Sequence, residues 1–422
     1  MSLQLCVYED SKFAQFNPIA HTRPVFCLRA GIGQLFERAL TKFKADGLAL
    51  ACRNHLAPLV ADEQRDYPVN IIKRGDGDLL LLNGRLRSYG NLPQLVKEAR
   101  VSTRFFAGDE VAAVFLTMVA LKDAPPIGTP DQFAAVVENE GEQVTPQMTT
   151  ATLYNHLWDI VGDVEHRVTE DFRLHRPNLG PAPVKLDPRA FLVNDSDIYL
   201  AENVEVCPGA LLDASHGPIF IDRGTRVESQ AAIYGPTYVG PNSVIVAGKI
   251  QASCIGPTCR VGGELEESVL QGYVNKYHAG FIGHSYVGSW VNFGAMTTNS
   301  DLKNNYSNIR SSVNGQMIDT GSIKVGSFIG DHTKFGIGTL LNTGINIGVC
   351  CNIFGGTLIV DKEVPSFSWG GMIPWHKYTI GKALETAQRT TERRMKLLSP
   401  SEIEVLQKLA AGEEPTEGYL DL

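Results

Sequence analysis

The sequence predicts an α/β domain, then a triangular parallel β-helix, then a helical C-terminal segment. Three observations predict it. Residues 1–130 alternate short apolar runs with helix-like stretches, the rhythm of a sheet layered with helices. Beyond about residue 195, large apolar residues recur at every sixth position: Ile221, Val227, Ile233, Val239 and Ile245, then Ile323, Ile329, Phe335, Leu341, Ile347, Ile353 and Ile359. Helices and ordinary strands lack that period, whereas a coil of three short strands has it. The chain then closes on amphipathic segments with a helix-start signal.

In chain order, "LQLCVYE" (3–9) reads as a strand and "GIGQLFERALTKF" (31–43) as a helix. "GLALACR" (47–53), "DLLLLNG" (78–84) and "AAVFLTMVAL" (112–121) read as further strands, with "LPQLVKEAR" (92–100) a helix between them. Such alternation predicts a largely parallel sheet. "DAPPIGTPD" (123–131) interrupts it, and the Pro-rich "HRPNLGPAPVKLDP" (175–188) reads as a linker. The domains expected are 1–190 (α/β), 191–380 (β-helix) and 381–422 (helical tail).

In the β-helix the six-residue step places Ile323, Leu341 and Ile359 on one face of successive coils, and Phe281, Val287 and Phe293 continue it. Glycines and small polar residues suit the tight corners. Between Phe293 and Ile323 the same step meets Asn299, Asn305, Ser311 and Met317. Residues 296–320 therefore read as a polar excursion, where a rigid scaffold carries binding groups. Helices are expected over 383–398 and 400–411, the second capped by Ser399, with Pro400 at its first position and Glu402 completing a capping box. The acidic end "GEEPTEGYLDL" reads as a mobile tail.

Of 422 residues, 43% are apolar and 20% charged, and the net charge is −8. That balance argues against a general nucleic-acid or membrane-surface binder. The opening "MSLQLCVYEDSKF" lacks the pattern of a secretory signal, and no apolar run is long enough for a membrane span. The eight cysteines form no Cys-x-x-Cys pair, so free thiols in a cytoplasmic protein are expected.

The stretch "NKYHAGFIGHSYVG" (275–288) carries the chemistry. His278 is a candidate general base, because imidazole titrates nearest neutrality. His284 lies one hexad on, and His332 eight hexads further, without the close pair of a zinc site. No metal is assigned.

"HAGFIGHSYVGSWVNFGA" (278–295) resembles the acetyltransfer centre of the bifunctional N-acetylglucosamine-1-phosphate uridyltransferase/glucosamine-1-phosphate acetyltransferase family. Residues 196–365 then resemble its left-handed parallel β-helix of hexapeptide repeats. The resemblance implies His278 and Asn292 as catalytic, and Phe281, in place of the family's tyrosine, against the sugar phosphate. It further implies Arg260, Lys276, Asn299 and Lys303 at the sugar phosphate, and Ala295 at the acetyl-CoA thioester. "HTRPVFCLRAGI" (21–32) and "LLLLNGRL" (79–86) resemble a divergent sugar nucleotidyltransferase. They imply Arg23, Arg29, Gly31, Asn83, Gly84 and Arg85 at a nucleotide, although the family's glycine-rich loop is missing and Asn83 and Arg85 stand where its metal-binding aspartate belongs.

The expected function is therefore acetyl-CoA-dependent N-acetylation of an amino-sugar phosphate by a homotrimer. Coupled nucleotidyl transfer from a nucleoside triphosphate, with Mg²⁺, would then yield a nucleotide sugar such as UDP-N-acetylglucosamine. The alternative is a nucleotide-sugar-binding or regulatory protein with a degenerate N-terminal domain and a trimerising β-helix.

Overall fold

The computed structural model of the chain describes residues 3–71, 77–117, 144–175, 180 and 182–413. Residues 118–121 and the 123–131 interruption lie outside them, as do 176–179, 181 and the acidic end from 414. The N-terminal sheet runs in the order 47–51, 3–8, 78–83, 110–116, 103–107, 145–148. Leu79, Leu80, Leu81 and Leu82 of Asp78–Asn83 are all buried, which requires cover on both faces, because successive side chains point opposite ways.

Leu3–Tyr8 pairs in parallel with Gly47–Ala51 and with Asp78–Asn83. The remainder corrects the expectation of a largely parallel sheet. Thr103–Ala107 and Glu110–Leu116 form a hairpin, and the latter runs antiparallel to Asp78–Asn83. A link of only Gly108 and Asp109 can do no more than reverse the chain. The helix expected over 31–43 shortens to Glu37–Lys42, because Arg29–Ala30 and Gly33–Gln34 pair as short antiparallel strands. Their turn holds Gly31 at φ 78°, where a Cβ would collide with the Asp171 carboxylate.

The second half is a parallel β-helix. It begins at Lys185–Leu186, paired with Glu205–Val206, ahead of the expected boundary at 191. Stacks such as Val227 on Ile245, Phe293 on Phe335 and Leu341 on Ile359 run along its interior. The six-residue register needs two corrections. Ile323 is 47% exposed, and its place under Leu341 belongs to Asn299, because the excursion separates that coil from Ser327–Ile329. Phe281 lies half out of the core. The inward positions run Leu270, Lys276, Ile282, then Val287, Phe293 and Asn299, one residue being dropped at the corner that holds His284.

The excursion itself folds into a hairpin of Arg310–Val313 and Gln316–Asp319. The last two helices span Ile380–Glu392 and Pro400–Ala411. The first stops short of 398 where the chain turns at Met395 with φ 55°. Ser399 accepts the Glu402 N–H at 3.1 Å, but the reciprocal half of the capping box is not made. The Glu402 carboxylate instead meets His332 Nε2 at 2.8 Å. All eight cysteines are buried free thiols. Among the described residues no helix is long and apolar enough to cross a membrane.

Candidate active site

His278 stands exposed on the corner that follows Asn275–Lys276. Its ring meets Tyr277 edge-on at 5.4 Å. The corner is rigid because of Lys276, which is only 2% exposed. The Lys276 ammonium donates to the carbonyls of Gly262 and Gly280 at 2.7 Å and of His278 at 3.2 Å. Burial lowers its pKa to about 8. Three donors on three carbonyls leave none for a sugar phosphate, so the structure makes Lys276 a brace for the His278 corner, in correction of the sequence expectation. The next corner, carrying Ala295, stacks on this one through Met296 N–H to Ala279 O at 2.8 Å.

Asn292 lies one strand over from Asn275, and its Oδ1 accepts from Asn275 Nδ2 at 2.8 Å. Its own Nδ2 has no partner among the described residues. Both asparagines line a hollow of about 70 Å³ together with Arg260, Arg393 and Arg394. Arg394 has its pKa lowered by burial and by repulsion from Arg260 and Arg393, as like charges gathered in one place require. Arg393 and Arg394 were not legible as site residues in the sequence. They follow a helix whose docking only the tertiary structure defines.

The other residues implied for the sugar phosphate fare differently. The Phe281 ring lies over Gly283, close to Asp301. Asn299 is buried, accepting from Gly283 N–H at 2.9 Å and donating to Gly283 O and Ser285 Oγ at 3.0 and 3.1 Å. It therefore repairs the backbone of the coil below instead of facing solvent, a second correction. Lys303 bonds within its own loop, to Asn308 O at 2.6 Å. His284 is held between Asp301 (Nδ1, 2.7 Å) and Glu267 (Nε2, 3.1 Å). Burial works against its proton, but those carboxylates outweigh burial and raise the pKa to about 9. The cationic His284 ring thus stands apart from the free ring of His278.

In the N-terminal domain the structure contradicts most of the nucleotide contacts. Arg23 forms a buried ion pair with Asp331 of the β-helix, joined by Thr22 Oγ1 at 2.9 Å. The Arg29 N–H bonds Gln271 and Tyr286 at 3.0 and 2.8 Å, and Gly31 O accepts from Cys254 Sγ. Arg23 and the backbone of Arg29 and Gly31 are spent on the domain junction, while the Arg29 guanidinium donates to Ile32 O at 2.7 Å. Gly84 admits no Cβ beside Phe26 and Tyr8 O. At the ends of strands Leu3–Tyr8 and Asp78–Asn83, Arg85 binds both oxygens of Asp10, and it also meets Glu110, Tyr154 O and Asn155. Asn83 donates to Asp10 at 2.8 Å. Asp10, Glu110 and Asn155 are oxygen donors of the kind Mg²⁺ takes. The Arg85 guanidinium occupies them, so the residues present do not fit that ion.

Residues 5–177 match the family model described as sugar nucleotidyl transferase. The chain is 32% identical over 132 residues to a bifunctional sugar-1-phosphate nucleotidylyltransferase/acetyltransferase of Sulfurisphaera tokodaii, covering 31% of this chain and 30% of that protein. It is 28% identical over 191 residues to the bifunctional protein GlmU of Acaryochloris marina, covering 43% and 36%. The chain thus spans about a third of the length of these relatives. Among solved structures, LpxA of Acinetobacter baumannii matches at 16% identity over 56% of this chain and 98% of its own, with a TM-score of 0.26.

Proposed function

We propose, from this kinship with bifunctional sugar-1-phosphate nucleotidyl- and acetyltransferases, that the chain acetylates the amine of an amino-sugar phosphate at the His278 corner. The observation that carries the reading is an exposed imidazole on the braced corner that ends strand Asn275–Lys276, the strand whose Asn275 lines a hollow with Asn292, Arg260, Arg393 and Arg394. Acetyl-CoA would supply the thioester. The guanidinium cluster would take the sugar's phosphate, and Asn292 Nδ2 would orient the sugar. As the amine nitrogen bonds the acetyl carbon and the carbon–sulfur bond breaks, His278 takes the amine proton and returns it to the departing thiolate. The Ala295 corner would lie against the acetyl group.

For the N-terminal domain we favour a binding or regulatory role over nucleotidyl transfer, since Arg85 fills the place of the ion that reaction uses. The domains expected at 1–190, 191–380 and 381–422, the second starting already at Lys185, would work together as a cytoplasmic homotrimer. The test is to incubate the pure protein with acetyl-CoA and a panel of amino-sugar phosphates while following free thiol. Thiol release that needs an amino-sugar phosphate supports the reading. Release with none of the panel overturns it.

A further inference from the structure

The N-terminal domain holds a second cationic hollow, made by none of the residues around Asp10 and Arg85. It has a volume of about 330 Å³ between the helices Glu37–Lys42 and Val164–His175 and the segment 87–93, and Arg38, Lys42, Arg87 and Arg167 line it. Asp171, Glu170 and Asp163 pair with these cations, so four cations face three carboxylates. Arg38 is 6% exposed. Its Nη2 donates to Asp171 at 2.9 Å, while its Nη1 is buried with no partner among the described residues. A buried guanidinium nitrogen without an acceptor is costly and calls for an explanation.

A second hollow, of about 310 Å³, shares Arg38 and Asp171 and runs on to Tyr238 and Arg29. Arg29 Nε is likewise buried without a partner. Three guanidinium groups and an ammonium around one space suit a tetrahedral group with several oxygens better than a flat carboxylate. The adjoining hollow offers room for the organic part. We propose that this paired hollow binds a small phosphomonoester, with Arg38 Nη1, Arg87 and Lys42 on the phosphate.

The test is calorimetric titration of the full chain with glucose 1-phosphate, inorganic phosphate and malonate. An Arg394→Ala background keeps the β-helix cavity from contributing. Saturable binding of glucose 1-phosphate is expected, with inorganic phosphate weaker and malonate absent. Lys42→Ala and Arg87→Ala, both at partly exposed side chains, are each expected to weaken it by about tenfold without lowering Tm. Arg38→Gln is expected to abolish it. If Arg38→Gln melts early, the Lys42 and Arg87 variants still decide. No saturable binding, binding unchanged in the Lys42→Ala/Arg87→Ala double variant, or malonate binding as tightly as the phosphates would overturn the proposal.

Discussion

Lys276 occupies a position that the six-residue step reserves for an aliphatic side chain, and it spends its charge on three corner carbonyls. That braces the backbone at His278 and leaves its ring exposed. His278→Ala is expected to lower kcat for acetyl transfer by roughly 10²–10⁴-fold with little change in KM, since a general base acts in the transition state. Asn292→Ala is expected mainly to raise KM for the sugar. Steady-state thiol release separates the two. His284 supplies the contrast through pH. Its folded pKa, raised from 6.5 to about 9, gives stability that is fully present below pH 6.5 and lost as pH rises through 9. Lys276, lowered to about 8, works the other way, because the unfolded chain holds its proton longer and folding gains as pH climbs from 8. Comparing wild type with His284→Gln isolates the histidine. The variant should be less stable at pH 6 by on the order of 2 kcal/mol, and urea denaturation should show the gap closing by pH 9.5.

The coil's element-scale logic is a closed interior with interchangeable exteriors. Leu341 lies between Asn299 and Ile359 in one stack, where a carboxylate has no water and no cation. Leu341→Asp is expected to abolish folding of the β-helix, seen as loss of the cooperative melt. Ile323→Asp, at a residue the periodicity alone treats as equivalent, should leave Tm nearly unchanged because that side chain is 47% exposed. The period was legible because each coil repeats the same inward geometry. The excursion at 296–320 showed as a polar gap, but the residue dropped at the His284 corner did not, since it shifts the register without altering the local apolar pattern. Asn299 reads as a break in that pattern, yet the pairing shows it to be the inward residue itself.

Across the molecule, the junction of the two halves is a mixed core. Phe16, Leu157 and Phe172 cluster with Phe220, Tyr286 and Phe328, and the helix Pro400–Ala411 sets Val405 against the N-terminal core and Leu406 against the β-helix side. Arg23→Ala would leave Asp331 buried without its cation, so a loss of about 3 kcal/mol in chemical denaturation is expected, with nucleotide binding unaffected. On the outside, Leu340 and Leu358 are 41% and 49% exposed on paired strands, a flat apolar strip suited to a second copy. Sedimentation equilibrium should give a trimer at micromolar concentration, and a stable monomer would remove the assembly from the proposal. The sequence by itself determined the fold class and the coil period, because each is written in local spacing. Only the tertiary structure decided that Arg23 pairs with Asp331 across the domains, that Arg85 pairs with Asp10 and Glu110, and that Arg393 and Arg394 share a hollow with Asn292. A cation's partner is chosen by what folding brings within a few ångströms of it, and no spacing along the chain records that.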